Sequence, residues 1–108
     1  MERSLGPGTY KFLVIYEFLG TAILVFSVNV CPGGDPFGVV FTIFAAVLVA
    51  GPITGAHLNP AISTGVLVSN KNILPSIPIY LLTVTSEILG AMFGTLMAFS
   101  CTQNKYTA

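Results

Sequence analysis

The chain has 108 residues, enough for one small domain, and 7% of them are charged while 54% are hydrophobic; the mean hydropathy is +0.87. Because small domains have a high ratio of surface to volume, a soluble one must cover most of its surface with polar groups. Four acidic and four basic side chains of zero net charge cannot do this. The composition therefore excludes a soluble enzyme, a nucleic-acid-binding protein and a disordered tail, and it indicates a multi-pass integral membrane protein.

Three apolar runs are long enough to cross a bilayer, which takes a helix of about 20 residues. They cover residues 12–30, 37–51 and 77–100, and the second run is slightly short. The first run has a basic start and an apolar centre, as a signal peptide does, but it contains Glu17 and is longer than a usual signal core. We therefore predict three membrane-spanning helices.

Capping residues predict where these helices begin and end. Asp35 is a good N-cap and Pro36 suits the first helical position, so the second helix can begin before residue 37. The dipeptide Gly51-Pro52 is expected to end the second helix. Ser76 is a candidate N-cap for the third helix.

The basic residues predict an orientation, because basic residues favour the cytoplasmic side of a membrane. Three of the four lie on one side of the predicted spans, namely Arg3, Lys11 and Lys71. We therefore expect a cytoplasmic N-terminal segment, residues 1–11, and a tail on the opposite side, residues 101–108. The pattern does not distinguish a plasma membrane from a vacuolar membrane.

The stretch between the second and third runs, residues 52–70, is too apolar for an ordinary exposed loop. From Asn59 the pattern becomes helical, with Asn59 as N-cap and Pro60 at the first position. About ten helical residues would measure roughly 15 Å, half of the hydrocarbon core. Irregular backbone at that depth is tolerated only against protein or a water-filled cavity. We predict a re-entrant half helix, a device with which transporters build polar sites.

The segment GAHLNPAIS (Gly55–Ser63) resembles the first NPA loop of the aquaporin and aquaglyceroporin family, the major intrinsic proteins. YEFLGTAILVF (Tyr16–Phe26) resembles the first family helix, and SEILGAMFGTLMA (Ser86–Ala98) resembles the third. The resemblance covers residues 12–100 and one of the two inverted halves of a family chain. It implies an all-α membrane fold with three transmembrane helices and one re-entrant half helix.

The resemblance also implies that Asn59, Pro60 and Ala61 lie in a pore. In the family, the asparagine meets its second-half counterpart at the membrane centre and donates amide protons to passing water. The proline holds the start of the half helix rigid, and the alanine lets the two half helices pack closely. The positive end of the helix dipole at this point would oppose cations and protons.

Further pore residues follow from the same resemblance. Backbone carbonyls of Gly55, Ala56 and His57 would form an acceptor ladder that leads to the asparagine. Val39 would occupy the selectivity constriction, which a small valine leaves wider and less polar. A lone histidine makes no metal site, so we expect His57 to pack and to form hydrogen bonds, and the sequence indicates neither a metal nor a cofactor.

Two carboxylates, Glu17 and Glu87, fall inside apolar runs. An ionisable group within a membrane helix is costly and is by default a hypothesis of function. The family glutamate that matches Glu17 braces the backbone of the re-entrant loop. Many relatives have glutamine where this chain has Glu87, so this side chain is expected either to brace the loop as well or to be kept protonated by burial.

Small residues recur at four-residue steps in the third run, at Ser86, Gly90, Gly94 and Ala98. Such a stripe lets two membrane helices approach closely. We expect it to serve packing within the chain rather than dimerisation.

The sequence thus predicts a passive channel, not an enzyme, for water or a small neutral solute such as glycerol. The pore would need a second half, from the same or another chain, and the resemblance allows a tetramer of complete channels in the lipid bilayer. One alternative is a small proton-coupled multidrug exporter that works as an antiparallel dimer, although such chains have four continuous spans. The other is a truncated or regulatory membrane subunit without transport activity.

Overall fold

The computed structural model describes residues 9–31 and 35–102. Its helices are α1 (Thr9–Val30), α2 (Pro36–Thr54), α3 (Pro60–Ser69) and α4 (Ile73–Thr102). Within this part of the chain there is no strand. Helices α1, α2 and α4 are long and apolar enough to cross a membrane, and α3 has only ten residues. The predicted all-α membrane fold is therefore confirmed.

Some residues used to predict the orientation lie outside this description. They are Arg3, within residues 1–8, and Lys105, within residues 103–108. The predicted orientation therefore stays a prediction.

Helices α1 and α4 form the most extensive contact between elements. Gly90 and Gly94 of α4 lie against the backbone of Phe18 and Ala22 of α1, so closely that a Cβ atom on either glycine would overlap a carbonyl oxygen. The order of these contacts is the same along both helices, so α1 and α4 run in parallel. The small-residue stripe thus serves packing within the chain, as predicted.

Helix α2 continues through Gly51-Pro52 to Thr54, and the expected end at this dipeptide is wrong. Proline lacks only its own N–H donor, and helical bonding resumes at once, because the N–H of Gly55 donates to the carbonyl of Gly51 at 2.9 Å. Gly55 has a φ of 90°, a left-handed conformation that ends the helix. The irregular segment therefore begins later than the sequence predicts.

Helix α4 begins at Ile73, so the prediction that Ser76 is its N-cap is wrong. Ser76 is buried inside the first turns, where its hydroxyl donates to the Asn72 carbonyl at 3.0 Å. The same hydroxyl accepts from the Asn70 side-chain amide at 2.9 Å. The serine forms these bonds from within the helix, and they tie the start of α4 to the end of α3. Pro78 is accommodated inside α4.

Helix α2 contacts α1, but Ala50 is its one buried residue. Its bulky apolar side chains point outward, and Phe37, Phe41 and Phe44 are 62–69% exposed. A soluble protein rarely leaves a continuous apolar face of this kind uncovered. A bilayer or a second protein surface would cover it.

Candidate functional site

The candidate site is the irregular segment between α2 and α3, residues 55–59. Gly55, Ala56 and Leu58 have φ values of 90°, 51° and 56°. A non-glycine residue in the left-handed region costs on the order of 1–3 kcal/mol and persists only where its surroundings impose it. Two such residues within three positions indicate that outside contacts hold this backbone.

Glu17 on α1 supplies the first of those contacts. The side chain is fully buried, and its Oε1 accepts from the Thr54 hydroxyl at 2.6 Å and from the His57 N–H at 3.2 Å. Its Oε2 accepts from the Leu58 N–H at 2.9 Å. Thr54 in turn accepts from the Ala56 N–H at 3.1 Å. The carboxylate therefore pairs loop donors that no helix could pair, and these donors satisfy its buried oxygens.

Glu87 on α4 supplies the second contact from the other side. Its Oε1 accepts from the Ser63 hydroxyl at 2.8 Å, and Ser63 Oγ lies 2.9 Å from His57 Nδ1. Ser63 and Glu87 are both fully buried. Glu87 Oε2 has no hydrogen-bond partner among the described residues. A chain of polar groups thus joins the loop, α3 and α4.

Leu58 adds an apolar anchor to this polar framework. Its side chain is buried and lies so close to Gly20 of α1 that a Cβ atom on this glycine would overlap it. The loop is therefore pressed against α1 by packing as well as by the hydrogen bonds of Glu17.

Asn59 caps α3, as the sequence predicts. Its Oδ1 accepts from the Ala61 N–H at 2.9 Å, and Pro60 occupies the first helical position. Asn59 is exposed, and its Nδ2 donates to none of the described residues. The cap therefore orients the Asn59 amide so that its oxygen faces the helix, while its NH₂ group has no partner among the described residues.

The remaining predicted pore residues lie in two places, the segment that leads to Asn59 and the start of α2. Gly55 is exposed, and Ala56 and His57 are partly exposed beside Asn59. Val39 is partly exposed near the start of α2. It lies 16 residues before Gly55, about 24 Å along a helix axis. The structure brings together every predicted site residue except Val39.

Sequence reasoning missed Thr54, Leu58 and Ser63, which complete the framework around the loop. Ser63 contacts Glu87 across 24 residues of chain, and Leu58 contacts Glu17 across 41. No local pattern reports such distant pairing.

These features define an all-α membrane protein in which two buried carboxylates, on different long helices, fix the entry to a half-length helix. The comparison with protein families agrees with this class, because the model described as "Major intrinsic protein" matches residues 36–108. The chain belongs to the major intrinsic protein family.

Individual relatives agree with the family match. The chain is similar to "Aquaglycerol porin AQY3" of Saccharomyces cerevisiae, with 33% identity over 77% of this chain and 14% of that protein. It is also similar to "Aquaporin-5" of Ovis aries, with 30% identity over 92% of this chain and 40% of that protein. "Aquaglyceroporin" of Toxoplasma gondii is 31% identical over 77% of this chain and 34% of that protein. The chain thus spans well under half of each relative, and no solved structure matches it significantly.

Proposed function

We propose that this chain forms one half of an aquaporin-like channel for the passive transport of water or small neutral solutes such as glycerol. Family membership supports a channel rather than an enzyme or a multidrug exporter. The observation that carries the proposal is Asn59, whose side-chain oxygen is used by the cap of α3 while its exposed NH₂ group is left to donate.

The proposed conduit combines this donor with acceptors. The backbone carbonyls of Gly55, Ala56 and His57 accept no hydrogen bond from the described part of the chain, so they are free to accept from a passing solute. Water and polyols offer O–H donors to such carbonyls and lone pairs to the Asn59 amide. The N-terminus of α3 lies at the same place, and its partial positive charge opposes cations.

A second half must close the wall of this conduit, because Asn59 and the apolar face of α2 are exposed. Further residues of a longer chain or a second chain would supply it. We also propose that residues 55–70 re-enter the membrane between spans, that Val39 contributes to the constriction and that residues 1–11 lie in the cytoplasm. Assembly of complete channels into a tetramer belongs to the same proposal.

Stopped-flow shrinkage of liposomes tests the proposal. Liposomes containing the chain should shrink rapidly and with a low activation energy under an osmotic gradient, and Asn59→Asp should abolish this because it replaces the free donor by an acceptor. Asn72→Asp is the matched control, since Asn72 is exposed and lies outside the loop.

A second arm covers the case in which the chain alone forms no pore. The chain would be joined to the C-terminal half of the Ovis aries relative, and the same two variants would be compared. If the joined protein inserts but shrinkage stays at the rate of empty liposomes, the water channel is rejected. Proton release driven by a drug, abolished by Glu17→Gln, would instead support the exporter.

A further inference from the structure

The two ring nitrogens of His57 lie in different surroundings. Nδ1 is 2.9 Å from the buried Ser63 hydroxyl. Nε2 lies beside exposed Gly55, 3.4 Å from where a Cβ atom on that glycine would stand, and has no hydrogen-bond partner in the described ranges. In a neutral imidazole one nitrogen carries the hydrogen and the other accepts, and the neighbours of each nitrogen decide which is which.

The Ser63 hydroxyl links that decision to Glu87. A hydroxyl has one hydrogen, and two groups stand at hydrogen-bond distance from Ser63 Oγ, namely His57 Nδ1 at 2.9 Å and Glu87 Oε1 at 2.8 Å. An ionised carboxylate oxygen, or the carbonyl oxygen of a carboxylic acid, only accepts. In the structure Ser63 Oγ donates to Glu87 Oε1, so the hydroxyl hydrogen points to the carboxyl group and the oxygen of Ser63 faces the ring as an acceptor.

A donor is then required at Nδ1. An unprotonated Nδ1 would place its lone pair against the lone pairs of Ser63 Oγ inside a buried site, where an unpaired contact is costly. Glu17 does not change this orientation, because its two oxygens accept from Thr54 and from the backbone N–H groups of His57 and Leu58 rather than from the ring.

We propose that Glu87 is a positioning residue that acts through Ser63 to hold neutral His57 with its hydrogen on Nδ1. Nε2 is then left as an acceptor on the exposed side of the loop. The consequence for transport rests on the proposed function. If the loop lines a conduit, Nε2 would add a side-chain acceptor beside the carbonyls of Gly55 and Ala56.

Nitrogen-15 NMR of the chain in lipid bilayers tests the inference directly. His57 is the chain's single histidine, so histidine labelling gives one pair of ring resonances, provided that the affinity tag contains no histidine. Spectra over a pH series identify the neutral ring. We expect the chemical shift of a protonated nitrogen at Nδ1 and of an unprotonated nitrogen at Nε2. The opposite pattern, or an even mixture, would overturn the inference.

Variants of Glu87 test whether this side chain sets the position of the hydrogen on His57 or only fills space beside Ser63. Glu87→Met removes the acceptor, so the Ser63 hydroxyl should turn to Nδ1 and move the ring hydrogen to Nε2. Glu87→Gln keeps a carbonyl oxygen and should restore the wild-type pattern. Ser69→Ala is the control on α3, the helix of Ser63, because among the described residues that hydroxyl bonds only the Val66 carbonyl. An Nδ1-protonated ring in folded Glu87→Met would refute the role of Glu87.

The inference and the proposed function can fail separately. The NMR result depends only on the three side chains, so it stands even if the liposomes do not shrink. Conversely, rapid shrinkage with the hydrogen on Nε2 would keep the channel and reject the role of Glu87.

Discussion

Glu17 pairs with three donors in the loop, and all three are neutral groups. Glu17→Gln would leave one acceptor oxygen and set an NH₂ group against an N–H or hydroxyl donor. Because the site is buried, we expect the free energy of unfolding to fall by about 1–3 kcal/mol. Thermal unfolding in detergent measures this loss.

Asp35→Asn is the matched control for that substitution. Asp35 is exposed and caps α2 by accepting from the Phe37 N–H at 3.1 Å, and asparagine is as good an N-cap as aspartate. We expect an unchanged melting temperature for the control. Equal stability of the two variants would contradict a supporting role for Glu17.

At the scale of elements, the contact between α1 and α4 depends on glycine. A Cβ atom at Gly90 would overlap the carbonyl of Phe18, and overpacking of this kind costs about 1–3 kcal/mol. Gly90→Ala should therefore lower stability in a detergent denaturation series. Gly51→Ala is the control in α2, where the new Cβ would lie 3.9 Å from a Val47 methyl, an ordinary contact. Two equally stable variants would contradict a close contact between α1 and α4 at this glycine.

The elements also show which features local sequence rules can predict. Asn59 and Pro60 predict the start of α3 correctly, because a cap is a contact between near neighbours. Gly51-Pro52 misleads because the helix tolerates one missing donor and resumes its bonding in the next turn. Ser76 misleads because it is a good cap residue used inside a helix.

The same distinction applies to the candidate site. Glu17 and Glu87 stand out in the sequence, because a charge within an apolar run requires a partner. The partners themselves, such as Thr54 and Ser63, become visible only when distant parts of the chain meet. The left-handed backbone at Ala56 and Leu58 carries no sequence signal at all, since neither residue type prefers it.

At the scale of the whole molecule, the parallel course of α1 and α4 predicts a topology. Cys101 is exposed at the end of α4, and Lys71 is exposed before its start. A membrane-impermeant maleimide should label Cys101 in intact cells that express Cys31→Ser. In a chain without native cysteines, Lys71→Cys should react only after permeabilisation, because basic residues favour the cytoplasm.

The outcomes of that labelling experiment distinguish two errors. Labelling of both positions from one side would contradict a membrane-crossing α4. Labelling with the two sides exchanged would keep the crossing and reverse the orientation that the basic residues predict.

The distribution of buried contacts also constrains the order in which the molecule can assemble during synthesis. Helix α2 buries Ala50 alone, whereas the large contact joins α1 to α4, the first and the fourth of the described helices. Ser63 receives its partner Glu87 only 24 residues later. Until α4 is made, α1 therefore has only its smaller contact with α2. The loop therefore gains its contacts in two stages, because those from Glu17 can form before α4 is made and the link from Ser63 to Glu87 only afterwards.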